Sequence, residues 1–505
     1  MKQPDLVVGL DSSTQSAKAV AFTRDGTAIA EGRAPIAMSN PHPGWMEQEP
    51  DDWWGSACAA LSSLTSEIDA ARVAGVAVSN QRETIALFDA DLNSLRPGIL
   101  WLDERAREDI AIVSDALGAD VLHSVTGKHP DLTPVIYRLN WLKRHEPDVI
   151  SRASKILDVH GYLTGRLTGT PMASWTSADP SGVFNIVEKT WSKPLLDYLG
   201  LEPDHFATLV PPGSPVGRVT EAAAAATGLL AGTPVAAAGG DGQCAGLGVN
   251  AIQPGVVYVN LGTAIITGAW SEDPRIARHW RTMTSPTGEG YFLEGCQRAG
   301  TFFVDWFLDT CAGGRGDGSI FGQLEMQASK LPIGSEGVTI CPYLSGCMDP
   351  HWDPDARAAF IGLAPHHRTA HLYRAVLEGL TLEISRCIAE MQNEGLSPQR
   401  IIALGGGAAS PLWRRMLADA TGLRLSVSGS LEASAAGAAM CAAKMAGWFA
   451  SVSIAAEAMC TDGESTEPNP AVRSAWDLLS KKQSLAYRPQ PRNAPDLGGG
   501  TVSVK

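Results

Sequence analysis

The chain has 505 residues, with 40 Lys and Arg against 54 Asp and Glu, and its net charge of −14 argues against nucleic acid or an anionic membrane as partner. At roughly 100–200 residues per domain the length predicts about three domains or two large ones, and a content of 44% hydrophobic and 19% charged residues excludes a mainly disordered chain. The charge leaves a small neutral ligand, or an anion carried with a metal, as partner, and nine cysteines without any C-x-x-C pattern exclude a disulfide framework and a zinc site.

In chain order, Met-Lys-Gln-Pro-Asp runs at once into a short strand, Leu6 to Leu10, too brief for a signal-peptide apolar region, so a cytoplasmic protein is expected. The stretch to Gly26 reads as strand, turn, strand and a second hairpin turn at Asp25-Gly26. Its first turn, Asp11-Ser12-Ser13-Thr14-Gln15 with Lys18 nearby, offers N–H groups, hydroxyls and an ammonium to phosphate oxygens, and Asp11 at the strand end suits a hydrated divalent cation. A plain polar hairpin turn is the alternative. The cluster Asn80-Gln81-Arg82-Glu83-Thr84 lies between apolar strands at Val73 to Val78 and Ile85 to Phe88. There Arg82 and Glu83 either hydrogen-bond the vicinal hydroxyls of a polyol or pair structurally with each other, and Trp101, Asp103 and Arg105 extend the same polar pocket.

The Ala-rich run Ala222 to Ala238 is interrupted by Thr227, Gly228, Gly232 and Pro234, short of the about 20 apolar residues a membrane helix needs, so no span is expected. It leads into Gly239-Gly240-Asp241-Gly242. Flanking glycines let a substrate approach the backbone, and Asp241 at a strand end suits a general base or a metal site; an Asp-Gly turn is the alternative. Val256 to Trp270 then repeats the first hairpin, with Gly262-Thr263 as a second phosphate turn, which suggests an internal duplication with its boundary near Val249 to Pro254.

Alternating helices and strands favour an α/β class. Thr369 is expected to cap a helix that stops at Gly395; a strand follows at Ile401 to Leu404, then Gly405-Gly406-Gly407-Ala408-Ala409-Ser410. A second helix is expected at once, with Ser410 as N-cap, Pro411 in first position and Gly422 as stop, so that the glycine turn presents a helix N-terminus to an anion. This turn nearly matches G-x-G-x-x-G, which leaves a dehydrogenase as an alternative, whereas Gly127-Lys128-His129 fails the phosphate-loop pattern and neither G-x-S-x-G nor H-E-x-x-H occurs. Arg315-Gly316-Asp317 is read as a coincidence rather than an adhesion motif, and the Pro, Gly and Asn-rich end from about Gln490 as a disordered tail.

These motifs, in this order, resemble the FGGY carbohydrate kinases from about Leu6 to Gly447. GLDSSTQSAK is similar to the family's first phosphate hairpin, PHPGWMEQEPDDWW to its early Trp-rich segment, SNQRET to its acceptor turn and GGDGQCAGLG to its catalytic Asp motif. VNLGTA resembles the second phosphate hairpin, and DPDARAAFIGL with LGGGAASPLWRRMLADATG the C-terminal signature and adenosine segment. The resemblance implies an actin-like, ribonuclease-H-like fold of two α/β domains around a central cleft, at 1–250 for the sugar and 251–490 for the nucleotide, with 491–505 as tail.

It also implies ATP and Mg²⁺, a small sugar or polyol acceptor, and an open question over a homodimer. Asp241 would be the general base, with Gln81, Arg82, Glu83, Trp101, Asp103 and Asp241 around the acceptor. Ser13, Thr14, Gln15, Lys18, Gly262, Thr263, Gly300, Thr301, Gly406, Gly407 and Ala408 would hold ATP, and Asp11 with Asp241 the metal.

Asn80 to Thr84 resembles the glycerol kinase turn, but Gly242 and Thr133 stand where glycerol kinases carry Gln and Tyr, and WSKPLLDYLGL is closer to xylulokinases. Small Gly242 suggests room for more than a three-carbon acceptor. A ketopentose such as xylulose is therefore expected, then glycerol or another polyol; a nucleotide-binding regulator on the same fold is a rival from another class. Gly346-Cys347-Met348 departs from the Gly-Glu-Arg often found in relatives.

Overall fold

The computed structural model describes residues 4–316, 318–429 and 432–487. The expected tail at 491–505 lies outside these residues, as does Asp317; Arg315 is engaged by Asp305 and Asp309.

The first hairpin forms as expected, Leu6–Ser12 against Ser16–Phe22, and continues antiparallel into Ala28–Pro35. Val73–Asn80 and Pro234–Gly240 add to its other side in parallel, and Pro215–Arg218 closes that edge antiparallel, giving a six-stranded sheet. From residue 256 the pattern recurs. Val256–Leu261 and Ile265–Ser271 form the hairpin, Tyr291–Gln297 its antiparallel continuation, Arg400–Leu404 and Arg424–Ser428 the parallel additions and Asp462–Thr466 the antiparallel edge. Arg281–Thr284 is an extra strand beyond Tyr291–Gln297, making seven. The duplication read from two hairpins is thus a duplication of whole sheets.

Period-two alternation sends the central strands' side chains to two faces. Leu6, Val8, Leu10, Val76, Val78, Val235 and Ala237 meet the helix Pro50–Glu67 through Trp53, Ala57, Ala60, Leu61 and Leu64, whose spacing forms one helical stripe. Val7, Val20, Ala77, Ala236 and Ala238 face the other way and are covered by Ala433–Met445, a helix from the far end of the chain. Its alanines permit a very close approach: a Cβ on Gly9 would stand 1.8 Å from the Ala435 carbonyl oxygen.

The helix expected from Thr369 spans Thr369–Asn393, with Gly395 left-handed after it at φ 89°. The N-cap is Arg368 rather than Thr369, because His371 turns back and its Nδ1 accepts the Arg368 N–H at 3.0 Å. The helix Pro411–Thr421 has the expected Ser410 cap and left-handed Gly422, but a 3₁₀ turn, Gly406–Ala409, separates it from the strand. Cys347 and Met348 are buried, and Cys347 packs with Cys341, Tyr343 and Ala356.

Candidate active site

Pro234–Gly240 ends where the helix Asp241–Gly248 begins, so Asp241 stands at a strand–helix junction. Its Oδ1 accepts the Gly242 N–H at 2.8 Å and lies 3.5 Å from Arg82 Nε. Loss of water is the largest effect on this carboxyl. Asp11 and Glu83 add negative charge, and together these outweigh Arg82 and the Gly242 N–H and push its pKa up to about 7. The side chain nonetheless keeps 35% of its surface open, so a ligand can reach it.

Asp11, near the end of Leu6–Ser12 and separated from Pro234–Gly240 by the strand Val73–Asn80, accepts hydrogen bonds from Ser13 Oγ at 2.6 Å and Ser79 Oγ at 2.8 Å. Burial still raises its pKa against those bonds and the charge of Lys18. Lys18 faces Asp11 across the hairpin, but its ammonium is paired with Glu432 from the second half. Thr14 belongs to the same site: Trp101 Nε1 donates to its hydroxyl at 3.0 Å and Gln48 Nε2 to its carbonyl at 2.6 Å. Gln15 is exposed beside it.

The turn at Asn80 to Thr84 is built differently from the expectation. Arg82 and Glu83 are both buried but do not bond each other; Arg82 NH1 donates to Glu294 at 2.9 Å, and Glu83 accepts from Arg281 NH1 at 2.7 Å. Arg281 NH2 also bonds Glu294, closing a network between the two halves. Glu83 holds a left-handed φ of 56°, a strained backbone for a non-glycine residue that its ion pair helps to fix.

Three expectations need correction. The glycines around Asp241 admit Arg82, not a substrate: a Cβ on Gly240 would stand 2.4 Å from Arg82 Cδ and one on Gly242 3.0 Å from Arg82 NH2, so Gly242 leaves no spare room for a larger acceptor. Gln81 is fully buried, bonded to Gln48 and Thr84. Asp103 is 1% exposed and both its oxygens are engaged by Arg105 and the Met46 N–H, so neither residue is placed to meet an acceptor. Thr133 is buried as well.

On the second sheet, Gly300 N–H donates to Thr263 O and Thr301 N–H to Gly262 O, each at 2.8 Å, bringing these four residues together. Gly405, left-handed at φ 84°, packs so tightly on the end of the same strand that a Cβ would lie 2.5 Å from Asn260 Oδ1. Gly406 opens on free space, whereas Gly407 packs on Trp413 and the Ala408 side chain is in the core, which leaves Ala408 only its backbone for a ligand. The expected helix N-terminus for an anion is not open. Ser410 caps the Trp413 N–H, and its hydroxyl lies 2.9 Å from both oxygens of Glu325.

Sequence reading missed Arg281, Glu294, Lys128 and Asp179. Their partners are far away in the chain: Lys128 Nζ donates to Thr282 O at 2.6 Å, and Asp179 accepts from Thr284 Oγ1 at 2.8 Å. The one local signal was Glu294 directly after the apolar run Tyr291-Phe292-Leu293, since a charge in a buried strand requires a partner.

Comparison with known proteins agrees with this architecture. The family model described as the N-terminal domain of the FGGY family of carbohydrate kinases matches residues 6–248, and that for the C-terminal domain residues 257–446. A xylulose kinase of Lactococcus lactis is 30% identical over 95% of this chain and 96% of its own, and a gluconokinase of Bacillus subtilis is 26% identical over 86% of each. The crystal structure of a xylulose kinase from Rhodospirillum rubrum superimposes with a TM-score of 0.90 at 28% identity, over 95% of this chain and 98% of the other. With both domain models matched in order over most of its length, the chain belongs to the FGGY family of carbohydrate kinases, two-domain enzymes of actin-like α/β fold that use ATP to phosphorylate sugars.

Proposed function

We propose that this kinase transfers the γ-phosphoryl group of ATP to a hydroxyl of a ketopentose, with xylulose giving xylulose 5-phosphate, and that residues 1–250 carry the acceptor and 251–490 the nucleotide. The observation that carries the mechanism is Asp241, a reachable carboxyl with a pKa of about 7 at a strand end. A base of that strength takes the proton of the acceptor hydroxyl as its oxygen bonds to the γ-phosphorus; the bond to the bridging oxygen breaks and ADP leaves. Backbone N–H groups and hydroxyls of Ser13, Thr14, Gln15, Gly262 and Thr263 are assigned to the phosphates, with Lys18 adding charge if it leaves Glu432. Gly300, Thr301, Gly406, Gly407 and the Ala408 backbone line the nucleotide in this reading, and Trp101 flanks the acceptor.

The carboxylates of Asp11 and Asp241 fit Mg²⁺. The charge of Asp11 acts on Asp241, so the two hard oxygen donors share one site, and a pair of carboxylates suits an ion that keeps waters and nucleotide oxygens. When bound, Mg²⁺ would neutralise charge on the phosphates. A cytoplasmic setting accompanies this reading, and no helix among the described residues is long and apolar enough to cross a membrane.

The Asn80 to Thr84 turn favours glycerol as a second acceptor by its sequence. The engagement of Arg82 and Glu83 by Glu294 and Arg281 counts against it, because those groups are no longer free for a triol. A coupled ADP-release assay over xylulose, ribulose, glycerol and sugar alcohols tests the assignment. The largest kcat/KM is expected for xylulose; preference for glycerol would transfer the assignment to the polyol, and no acceptor-stimulated ADP with any of them would overturn it.

A further inference from the structure

The charged groups around the acceptor turn come from both halves of the chain and nearly cancel. Arg82, Glu83, Arg281 and Glu294 are 9%, 7%, 5% and 0% exposed. Glu294 sits between the two guanidinium groups, bonded to Arg82 NH1 at 2.9 Å through one oxygen and to Arg281 through the other. Arg281 reaches Glu83 at 2.7 Å, and Arg82 Nε lies 3.5 Å from Asp241. A third cation, Lys128, donates to the Thr126 and Thr282 carbonyls and feels Asp179 as its strongest charged neighbour. Arg82, Arg281, Lys128 and Arg138, whose strongest charged neighbour is Glu83, therefore face Glu83, Glu294, Asp179 and Asp241, four cations against four carboxyl groups. The two guanidinium groups hold Glu294 down at about 2 against its burial, so it remains charged at neutral pH.

A carboxylate on the acceptor would lose its water on entering such a site and find Arg82 and Arg281 already paired with carboxylates. A neutral sugar or polyol needs only hydrogen bonds, which Asp241, Trp101 and backbone groups supply.

We propose that Glu294 is a specificity-determining residue of this kinase: by neutralising Arg82 and Arg281 it restricts the acceptor to neutral sugars and polyols and excludes aldonates. The inference rests on the sugar-kinase reading of the site around Asp241. It separates two chemistries that occur among this chain's own relatives, whose names include both xylulose kinase and gluconokinase.

The test compares xylulose with gluconate on the full chain, by kcat/KM for ADP release and by equilibrium binding read from tryptophan fluorescence. The wild type is expected to favour xylulose by a hundredfold or more. Glu294→Gln keeps the side-chain size, removes the charge and frees a guanidinium group, so it should shift the xylulose-to-gluconate ratio toward gluconate by about tenfold or more. Glu294→Asp, which keeps the charge, should retain the wild-type ratio, and the KM for ATP should stay constant in both. If Glu294→Gln does not fold, Glu83→Gln removes the other carboxylate from Arg281 and should move the ratio in the same direction. A wild type that uses gluconate as well as xylulose, or a ratio unmoved in the Gln variants, overturns the proposal while leaving the kinase reading intact. Absence of turnover with either acceptor would count against the ketopentose reading, and the binding ratio would still decide the role of Glu294.

Discussion

Burial pushes the Asp241 carboxyl up to about 7 while leaving it open to a ligand. A general base works in its ionised form, so kcat/KM should be retained above that value and fall as pH drops through it; a pH profile of ADP release measures this, and an acid limb near pH 4 would show that the group is not the base. Arg82 holds this pKa down, so Arg82→Ala should move the same limb to higher pH while raising the acceptor KM more than the ATP KM. Equal rises in both would show that the turn acts only as scaffold. Asp241→Asn changes the shape little and removes the base. It should lower kcat by on the order of 10²- to 10⁴-fold with nucleotide affinity kept, and near-normal turnover in that variant would remove Asp241 from the mechanism.

Among the elements, short-range rules account for what was legible in the sequence. The two hairpins, the Ser410-Pro411 start and Gly422 stop of one helix, and the strand before the glycine triplet all follow from neighbours within a few residues. What was not legible depends on partners distant in the chain: Arg82 with Glu294, Glu83 with Arg281, and the capture of Gln81 and Asp103 by internal bonds. The glycines beside Asp241 show the difference clearly, since their small size suggests room for a substrate and proves to be room for Arg82. Gly9 and Gly406 then predict opposite outcomes. Gly9→Ala drives a Cβ into the Ala435 backbone, which cannot rotate away, and should cost about 1–3 kcal/mol as a lower midpoint in denaturant unfolding. Gly406→Ala meets open space and should leave stability within about 0.5 kcal/mol, yet raise the KM for ATP if that space holds the nucleotide.

Across the whole molecule, each sheet is built from one side of residue 250, but packing does not respect that division. The face of the first sheet bearing Val7, Val20, Ala77, Ala236 and Ala238 has as its cover the helix Ala433–Met445, which also lies against the helix that starts with Asp241. Ser434 Oγ donates to the Asp241 carbonyl at 3.1 Å, so the strand–helix junction at Asp241 is itself braced from the far end of the chain. A fragment of residues 1–250 would retain its strands and the Pro50–Glu67 side of its core but expose that second apolar face to water, where an uncovered patch promotes association. Expressed alone, it should bind a hydrophobic dye and lack the near-ultraviolet dichroism of packed aromatic residues, and addition of residues 251–505 should restore the signal. A 1–250 fragment that is monomeric, dye-silent and natively packed would mean that the first sheet completes its core without the C-terminal helix.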